Sequence, residues 1–171
     1  MRIACVESIY TYNQFWDDGT PRTSPTGAVG VMQLTYPDGG KTCAHVWDWK
    51  ANVNQGMQVL RYTRGVASRF HLSEGNVKAD GITAVWNQDL VNCNGVRKAN
   101  NLPNFTPTPL DATPQVNGSQ QERQAARNYN KGREYDWKVD DTTTCAGHWA
   151  SDPKLFSDRD YVNKVFGPNC P

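Results

Sequence analysis

Apolar residues recur at helical spacing along much of the chain, and polar stretches rich in glycine, proline and asparagine separate the periodic segments. The first such segment predicts a helix over residues 2–12, with Glu7 beside its apolar face. Residues 13–26 are polar and contain a glycine and two prolines, which predicts a loop. Residues 28–34 predict one short helical turn, although short β pieces between residues 19 and 40 also fit the pattern.

The longest apolar stripe lies within residues 49–70 and predicts a helix that begins after Asp48, a residue type favoured at helix N-caps. The stripe consists of Val53, Gly56, Met57, Leu60, Thr63, Ala67 and Phe70. Such residues at helical spacing are typical of a face packed into the core. We therefore do not assign them to a cofactor site.

Three more helices are predicted in the second half of the chain, over residues 77–90, over residues 121–129, and through Val165 after a capping box at residues 157–160. Residues 100–120 hold four prolines and exceed the length of an ordinary connection. We expect a peripheral Ω-like loop there, with a flap beside a substrate groove as the alternative. Helices with short β pieces place the chain in the α+β class, predominantly α-helical.

Length and charge exclude several classes of partner. At 171 residues the chain has the size of one domain. Its formal net charge of +1 provides no broad electrostatic surface for nucleic acid or an anionic membrane, so we expect neither as a partner. No apolar run reaches the length of a membrane span, and the first residues do not have the pattern of a signal peptide.

Five cysteines are many for a cytosolic enzyme of this size: Cys5, Cys43, Cys93, Cys145 and Cys170. Two disulfides with one thiol left over would suit an envelope or extracellular location, but the spacing does not determine the pairing. Two alternatives are open. All five could be reduced, or Cys43 and Cys145 could bind zinc together with His45 and His148, although this spacing is not that of a familiar zinc finger.

Glu7 and the segment 24–34, Ser-Pro-Thr-Gly-Ala-Val-Gly-Val-Met-Gln-Leu, are the strongest chemical signal. Desolvation at the end of a buried helix raises the pKa of a carboxyl group, which makes Glu7 a candidate general acid. A turn built on Gly27 and Gly30 lets the backbone approach closely, and Gln33 can both donate and accept hydrogen bonds. An acid beside a polar turn favours cleavage of a glycosidic bond.

The order of five segments resembles the soluble lytic transglycosylase and goose-type lysozyme families. The segments are Glu7-Ser8, residues 24–34, residues 52–60 (Asn-Val-Asn-Gln-Gly-Met-Gln-Val-Leu), residues 129–132 (Tyr-Asn-Lys-Gly) and residues 160–165 (Asp-Tyr-Val-Asn-Lys-Val). The resemblance implies a single lysozyme-like domain over residues 1–171 with a substrate cleft. It also implies a monomer without metal or cofactor that cleaves the β-1,4 bond between N-acetylmuramic acid and N-acetylglucosamine in peptidoglycan, with Glu7 as general acid.

The resemblance also implies roles for residues around the acid. Ser8 supports Glu7 or the adjacent backbone, and Gln33 binds the sugar next to the scissile bond. Ser24 completes the substrate-binding set and is a cap rather than a nucleophile, because no Ser-His-Asp order accompanies it.

Tyr129 and Asn130 match the families' Tyr-Asn pair, whose phenol approaches the acid. The competing pair is Trp86 and Asn87, which lies closer to the usual distance along the chain from Glu7 but has no phenol. We favour Tyr129, with the proline-rich segment as the insertion before it.

Three residues bear on the product. Asp17 and Asp18, in the loop that should border the cleft, could hold a water for hydrolysis, or they could be solvated, with one capping a turn. Goose-type lysozymes carry an acid just after the Met-Gln turn, where this chain has Thr35. We favour hydrolysis. The alternative is a lytic transglycosylase, in which the substrate's own C6 hydroxyl closes a 1,6-anhydro ring and no second carboxylate is needed.

Two other functions fit the sequence less well, an inactive peptidoglycan-binding module and a chitin-directed glycosidase. For the biological setting we expect a domain of a larger protein, the lytic part of a type VI secretion effector delivered to the target periplasm, with an immunity protein as a partner. A phage tail or endolysin protein is the alternative.

Overall fold

The computed structural model describes residues 2–35, 42–69, 88–130, 132, 134–151 and 160–170. The elements are α1 (Arg2–Glu7), α2 (Cys43–Trp47), α3 (Trp49–Ser68), α4 (Gln88–Ala99), α5 (Gln120–Tyr129), β1 (Tyr135–Val139), β2 (Gly147–Ser151) and α6 (Tyr161–Phe166). Helices dominate and the two strands form one small antiparallel sheet. The α+β class is therefore confirmed, while the lysozyme-like fold and its cleft stay predictions.

Contacts divide the chain into two compact units. The first comprises Met1–Thr63 and Asp160–Pro171, and the second comprises Arg64–Arg159. Each unit has its own buried apolar residues and its own disulfide. The expectation of a single lysozyme-like domain stays a prediction.

Helix α1 ends at Glu7, so the predicted helix over residues 2–12 is too long. Ile9, Tyr10 and Tyr12 adopt positive φ angles of 54°, 63° and 55°, which a right-handed helix does not allow. The hydroxyl of Ser8 accepts a hydrogen bond from the Tyr12 backbone N–H at 2.8 Å and so stabilises this left-handed loop. The prediction failed because apolar residues continue at helical spacing after Glu7, where the helix ends.

Segment 28–34 forms β-like turns, and the predicted helical turn is wrong. Val29 pairs with both Thr23 and Leu34 in isolated antiparallel bridges, and Phe15 pairs with Pro21. The short β pieces that the sequence also allowed are therefore confirmed. Gly30, at φ 73°, reverses the chain between these bridges.

Helix α3 begins at Trp49, as predicted, and the Asp48 side chain accepts a hydrogen bond from the Lys50 backbone N–H at 2.8 Å. The helix ends at Ser68, and Phe70 lies outside the described residues. The stripe lies at least partly out of water, since Gly56, Thr63 and Ala67 are buried and the other described members half-buried. Its assignment to packing rather than to a cofactor agrees with this burial.

The second unit is built on a hairpin that the sequence analysis did not predict. Strands β1 and β2 pair Trp137 with Trp149, whose rings meet edge to face at 5.2 Å between centroids. The Cys93–Cys145 disulfide joins α4 to the connection between the two strands. Helix α5 begins after a capping box in which Ser119 and Glu122 exchange hydrogen bonds, which confirms the helix predicted at residues 121–129.

The proline-rich segment 100–120 packs within the second unit. Leu110 is buried, and the Trp149 indole N–H donates to the Thr108 carbonyl at 2.8 Å. The Asn94 side chain accepts from the Phe105 N–H at 2.7 Å and donates to the Phe105 carbonyl at 3.1 Å. These contacts suit a peripheral loop, and the placement of this segment relative to a substrate groove stays a prediction.

Some sequence predictions fall outside the described residues. Helix α4 begins at Gln88 and continues to Ala99, so it shares only its first turn with the predicted helix at residues 77–90, whose earlier part is not described. Helix α6 begins at Tyr161 with Asp160 at the N-cap but no side-chain capping bond, and residues 157–159 of the predicted capping box are not described. The Trp86-Asn87 pair is likewise not described.

The cysteines form two disulfides, Cys5–Cys170 and Cys93–Cys145, and leave Cys43 as an exposed thiol. The expectation of two disulfides and one remaining thiol is confirmed. The zinc alternative is wrong, because it requires a Cys145 thiolate that the disulfide consumes. Over the described ranges, no group of three or more His, Cys, Asp or Glu side chains could hold a metal ion. None of the helices in those ranges is long and apolar enough to cross a membrane.

Candidate functional site

Glu7 is the last residue of α1, and its carboxyl group meets a buried phenol. The Tyr161 hydroxyl donates a hydrogen bond to Glu7 Oε1 at 2.6 Å, and Tyr161 is only 2% exposed. A short hydrogen bond to one carboxyl oxygen fixes the rotation of the group and therefore the direction of its second oxygen. The pair thus holds an acid in one orientation at the half-buried end of a helix.

Packing and a disulfide bring the two helices of this pair together. Helix α1 packs against α6, and both bury apolar side chains. Cys5, in α1 two residues before its end, is bonded to Cys170 beyond the end of α6, with the Cα atoms 5.8 Å apart. The disulfide therefore links the element that carries Glu7 to the element that carries Tyr161.

Ser8 organises the backbone that follows the acid. Its buried hydroxyl accepts from the Tyr12 N–H at 2.8 Å and lies 3.3 Å from the Cys5 carbonyl, to which it donates. Its own carbonyl accepts from the Thr11 hydroxyl at 2.7 Å and from the Arg22 guanidinium. Ser8 thus supports the adjacent backbone, one of the two roles that the resemblance implied.

Gln14 is a buried clamp on the Gly30 turn. Its Oε1 accepts from the Val31 N–H at 3.0 Å, and its Nε2 donates to the carbonyls of His45 and Val46 at 3.0 and 2.8 Å. One side chain therefore joins the turn to helix α2. Burial of the amide is compensated by these three bonds.

Asn52, fully buried on α3, clamps the same turn. Its Oδ1 accepts from the Met32 N–H at 2.9 Å, and its Nδ2 donates to the carbonyls of Val29 and His45 at 2.9 and 3.0 Å. Sequence analysis placed Asn52 in the resemblance but assigned it no role. Its position at the start of the helix beside the apolar stripe was the signal for a buried polar contact.

Two glycines make the close approach possible. A Cβ atom on Gly30 would lie 2.4 Å from both Asn52 Nδ2 and Gln14 Oε1, and one on Gly56 would lie 2.6 Å from atoms of the Met32 side chain. The turn and α3 can therefore touch only where these positions have no side chain. This contact sets the position of Gln33.

Gln33 lies on the turn with a positive φ of 46° and a half-buried side chain. Its Nε2 donates to the Gly30 carbonyl at 2.8 Å, which holds the amide in one orientation. Within the described ranges the Oε1 atom has no hydrogen-bond partner, so it can accept from a hydroxyl or an acetamido N–H of a ligand. This geometry suits the sugar-binding role that the resemblance implied, which stays a prediction.

Ser24 and Thr35 lie at the two ends of the same segment. The Ser24 hydroxyl accepts from the Ala28 N–H at 3.0 Å and lies 2.8 Å from the Thr26 hydroxyl, so it caps its own turn. Thr35 is half-buried directly after the Val29–Leu34 bridge.

Asp17 and Asp18 are both exposed and differ in what they bind. Asp18 Oδ1 accepts from the Thr20 hydroxyl at 2.6 Å and from the Thr20 backbone N–H at 2.9 Å. These bonds hold the pKa of Asp18 below its usual range. Asp18 therefore acts as a turn cap, one of the two roles considered for it, whereas Asp17 makes no hydrogen bond within the described part of the chain.

Tyr129 and Asn130 belong to the second unit. Tyr129 is the half-buried last residue of α5, and Asn130 is the C-cap, whose backbone N–H donates to the Ala126 carbonyl at 3.3 Å. The prediction that this pair faces the acid stays a prediction. Sequence analysis did not assign the phenol of Tyr161, although it quoted the 160–165 segment that contains it.

Comparisons with known proteins found no match: no protein-family model, no curated protein and no solved structure is significantly similar to this chain.

Proposed function

We propose that this protein is a peptidoglycan hydrolase, a muramidase that cleaves the β-1,4 bond between N-acetylmuramic acid and N-acetylglucosamine with Glu7 as general acid. The observation that carries the proposal is the hydrogen bond from Tyr161, the first residue of α6, to Glu7, the last residue of α1. A carboxyl group held in one orientation at a half-buried position suits proton delivery to a leaving oxygen. The clamped turn that presents Gln33 and the order of motifs along the chain add support.

The reaction begins when Glu7 gives its proton to the glycosidic oxygen as the bond to the anomeric carbon breaks. An oxocarbenium-like centre develops on the N-acetylmuramic acid ring, and a water molecule then attacks it. Because Asp18 is engaged with Thr20, Asp17 is the better candidate of the two aspartates to position that water, and Thr35 is the further candidate that the motif order suggests. The new hydroxyl appears on the muramic acid, and the proton of the water returns to the enzyme carboxylate or to solvent.

One observation favours the lytic transglycosylase as the second candidate. Among the described residues of the first unit, no carboxylate other than half-buried Glu7 is even partly buried. Ring closure by the substrate's C6 hydroxyl needs no second carboxylate, whereas an inverting hydrolase uses one to activate water. The two outcomes differ only in the step after proton transfer.

Glu7→Gln tests the proposal, since the amide keeps the size of the side chain but cannot deliver a proton. General acid catalysis contributes about 100-fold to 10,000-fold in rate, so we expect turbidity loss of purified cell walls to slow by at least about 100-fold. Circular dichroism of the variant controls for folding. Equal lysis by wild type and variant would exclude this role of Glu7, and a wild type that binds walls without lysing them would indicate an inactive binding module.

Mass spectrometry of the released muropeptides separates the two reactions. Reducing ends indicate hydrolysis, and products lighter by one water indicate 1,6-anhydro ends. Release of soluble sugar fragments from chitin but not from peptidoglycan would instead indicate a chitin-directed glycosidase.

For the setting, the two disulfides are compatible with an extracellular or periplasmic protein. We propose delivery to a target periplasm as the lytic part of a secreted antibacterial effector, with an immunity protein as its natural inhibitor. Protection of target cells by a periplasmic protein from the producing strain would test this part.

A further inference from the structure

Trp16 is an exposed indole that the fold nevertheless holds in place. Its side chain is 43% exposed, and it lies on a tight turn in which the Trp16 N–H donates to the Thr20 carbonyl at 2.8 Å and the Gly19 N–H donates to the Trp16 carbonyl at 2.9 Å. Asp18 closes the turn through Thr20. An exposed ring on a fixed turn loses little conformational entropy when it binds a ligand.

Arg22 joins this indole to the loop that follows the acid. Its guanidinium carbon lies 4.1 Å from the Trp16 ring centroid. The same guanidinium donates to the Ser8 carbonyl and, at 2.6 Å, to the Thr11 hydroxyl. Ser8 directly follows Glu7, so one side chain spans the distance from the acid's loop to the indole.

The charge of Arg22 has no carboxylate partner among the described residues, because its contacts there are the two oxygens and the ring just named. Its Nε is buried without a hydrogen-bond partner in the same part of the chain. A positive charge held against a ring and not neutralised by the protein is available to an anionic group on a ligand.

Two more rings are exposed on the acid's loop, Tyr10 at 44% and Tyr12 at 42%. Both residues have positive φ angles, a backbone conformation that is costly for aromatic residues and is concentrated at functional sites. The first unit therefore presents two exposed rings on the loop that follows Glu7, and the guanidinium bonded to that loop lies against a third ring, Trp16.

We propose that Trp16 and Arg22 form a subsite for one sugar ring of an anionic glycan strand beside the bond that Glu7 cleaves. The apolar face of the pyranose stacks on the indole. The guanidinium pairs with a carboxylate of the strand, either on the muramic acid ether or on the stem peptide. This inference rests on the proposed function for the identity of the strand, but the binding it describes is measurable without catalysis.

The experiment uses the Glu7→Gln chain, which keeps the glycan intact, and measures its co-sedimentation with purified insoluble peptidoglycan. We expect Trp16→Ala to weaken binding about tenfold in that background and Trp16→Phe to restore part of it, since phenylalanine still offers a ring. The matched control is Trp49→Ala, which removes an indole of similar exposure, 52%, at the start of α3. It should stay within about twofold of its parent.

Unchanged binding by Trp16→Ala, or an equal loss in Trp49→Ala, would overturn the subsite. For the charged part, the parent should bind peptidoglycan more tightly than neutral chitin oligomers, and this preference should shrink at high salt. Equal affinity for peptidoglycan and for chitin oligomers would contradict the proposed pairing of Arg22 with a carboxylate of the strand.

The two proposals fail in different ways. A wild type that does not lyse walls refutes the enzyme but leaves the subsite supported, provided that Trp16→Ala still loses binding. Lysis by wild type together with full binding by Trp16→Ala refutes the subsite alone. If the Glu7→Gln variant does not bind peptidoglycan at all, a peptidoglycan strand is not the ligand of the subsite.

Discussion

The hydroxyl of Tyr161 contacts the carboxyl group of Glu7 although 154 positions separate the two residues along the chain. The phenol touches the acid and not the glycosidic bond, so we assign it as a positioning residue. Its effect should therefore appear in the rate of the chemical step and not in the affinity for the wall.

Tyr161→Phe tests this assignment. Loss of the hydrogen bond that orients Glu7 should lower kcat by about tenfold or more while KM and wall binding change little. Tyr62→Phe, an exposed tyrosine of α3, is the control. A rise in KM with unchanged kcat would place Tyr161 in substrate binding instead.

Gly30 and Gly65 provide a matched pair for stability. Alanine at Gly30 would clash with Asn52 and Gln14 and would hold a non-glycine residue at φ 73°, so the free energy of unfolding should fall by about 1–3 kcal/mol from backbone strain alone. Alanine at Gly65, inside α3 with nothing within 4 Å of the added Cβ, should raise it by about 0.5–1 kcal/mol. Urea unfolding measures both, and equal effects would contradict the turn geometry.

At the scale of elements, the packing of α1 against α6 and the disulfide between them determine whether Tyr161 can donate its hydrogen bond to Glu7. The sequence predicted α1 from apolar periodicity and α6 from a capping box, and it predicted α3 from its apolar stripe and the N-cap Asp48. It overextended α1 because an apolar period continues through Ile9 and Tyr10, whereas a hydroxyl at Ser8 stabilises the left-handed loop. It missed the hairpin in the second unit, whose strands are stabilised by cross-strand tryptophans rather than by a strong local turn signal.

Removing the two disulfides one at a time tests whether the Cys5–Cys170 bond acts by positioning α1 against α6 or only by stabilising the fold. Their sequence separations are 165 and 52 residues, so chain entropy gives them comparable stabilisation, about 5 and about 4 kcal/mol. Cys5→Ser with Cys170→Ser should abolish most lysis, because α1 and α6 lose their covalent link. Cys93→Ser with Cys145→Ser should lower the Tm by a similar amount and retain more activity. Thermal unfolding and turbidity assays measure the two effects, and equal loss of lysis at equal Tm would show that the disulfides act only through stability.

At the scale of the whole molecule, exposed aspartates fasten loops in both units. Asp18 and Asp111 each accept hydrogen bonds from one nearby threonine and Asp141 accepts from two, and these bonds lower the pKa of all three carboxyl groups from the ordinary value of 3.8. A lowered folded-state pKa contributes stability above the unfolded value, and this contribution is lost as the pH falls through the lowered value.

We therefore expect stability to fall as the pH is lowered below about 4, and a triple Asp→Asn variant at these positions should show a shallower dependence. Urea midpoints measured between about pH 5 and about pH 2 provide the comparison. A slope identical to that of the wild type would mean that these carboxylates keep the same bonds in the unfolded chain.

The sequence alone determined the helix-dominated α+β class, the start of α3, a helix at residues 121–129, and two disulfides with one remaining thiol, and it predicted Glu7 and segment 24–34 as the place to look for chemistry. These depend on local properties: periodicity, capping side chains, residue types and their number. Only the tertiary structure decided that Cys5 pairs with Cys170, that Gln14 and Asn52 clamp the turn, and that the phenol at the acid is Tyr161. Those contacts join residues distant in sequence, and their choice depends on how helices pack and which buried polar groups must find partners.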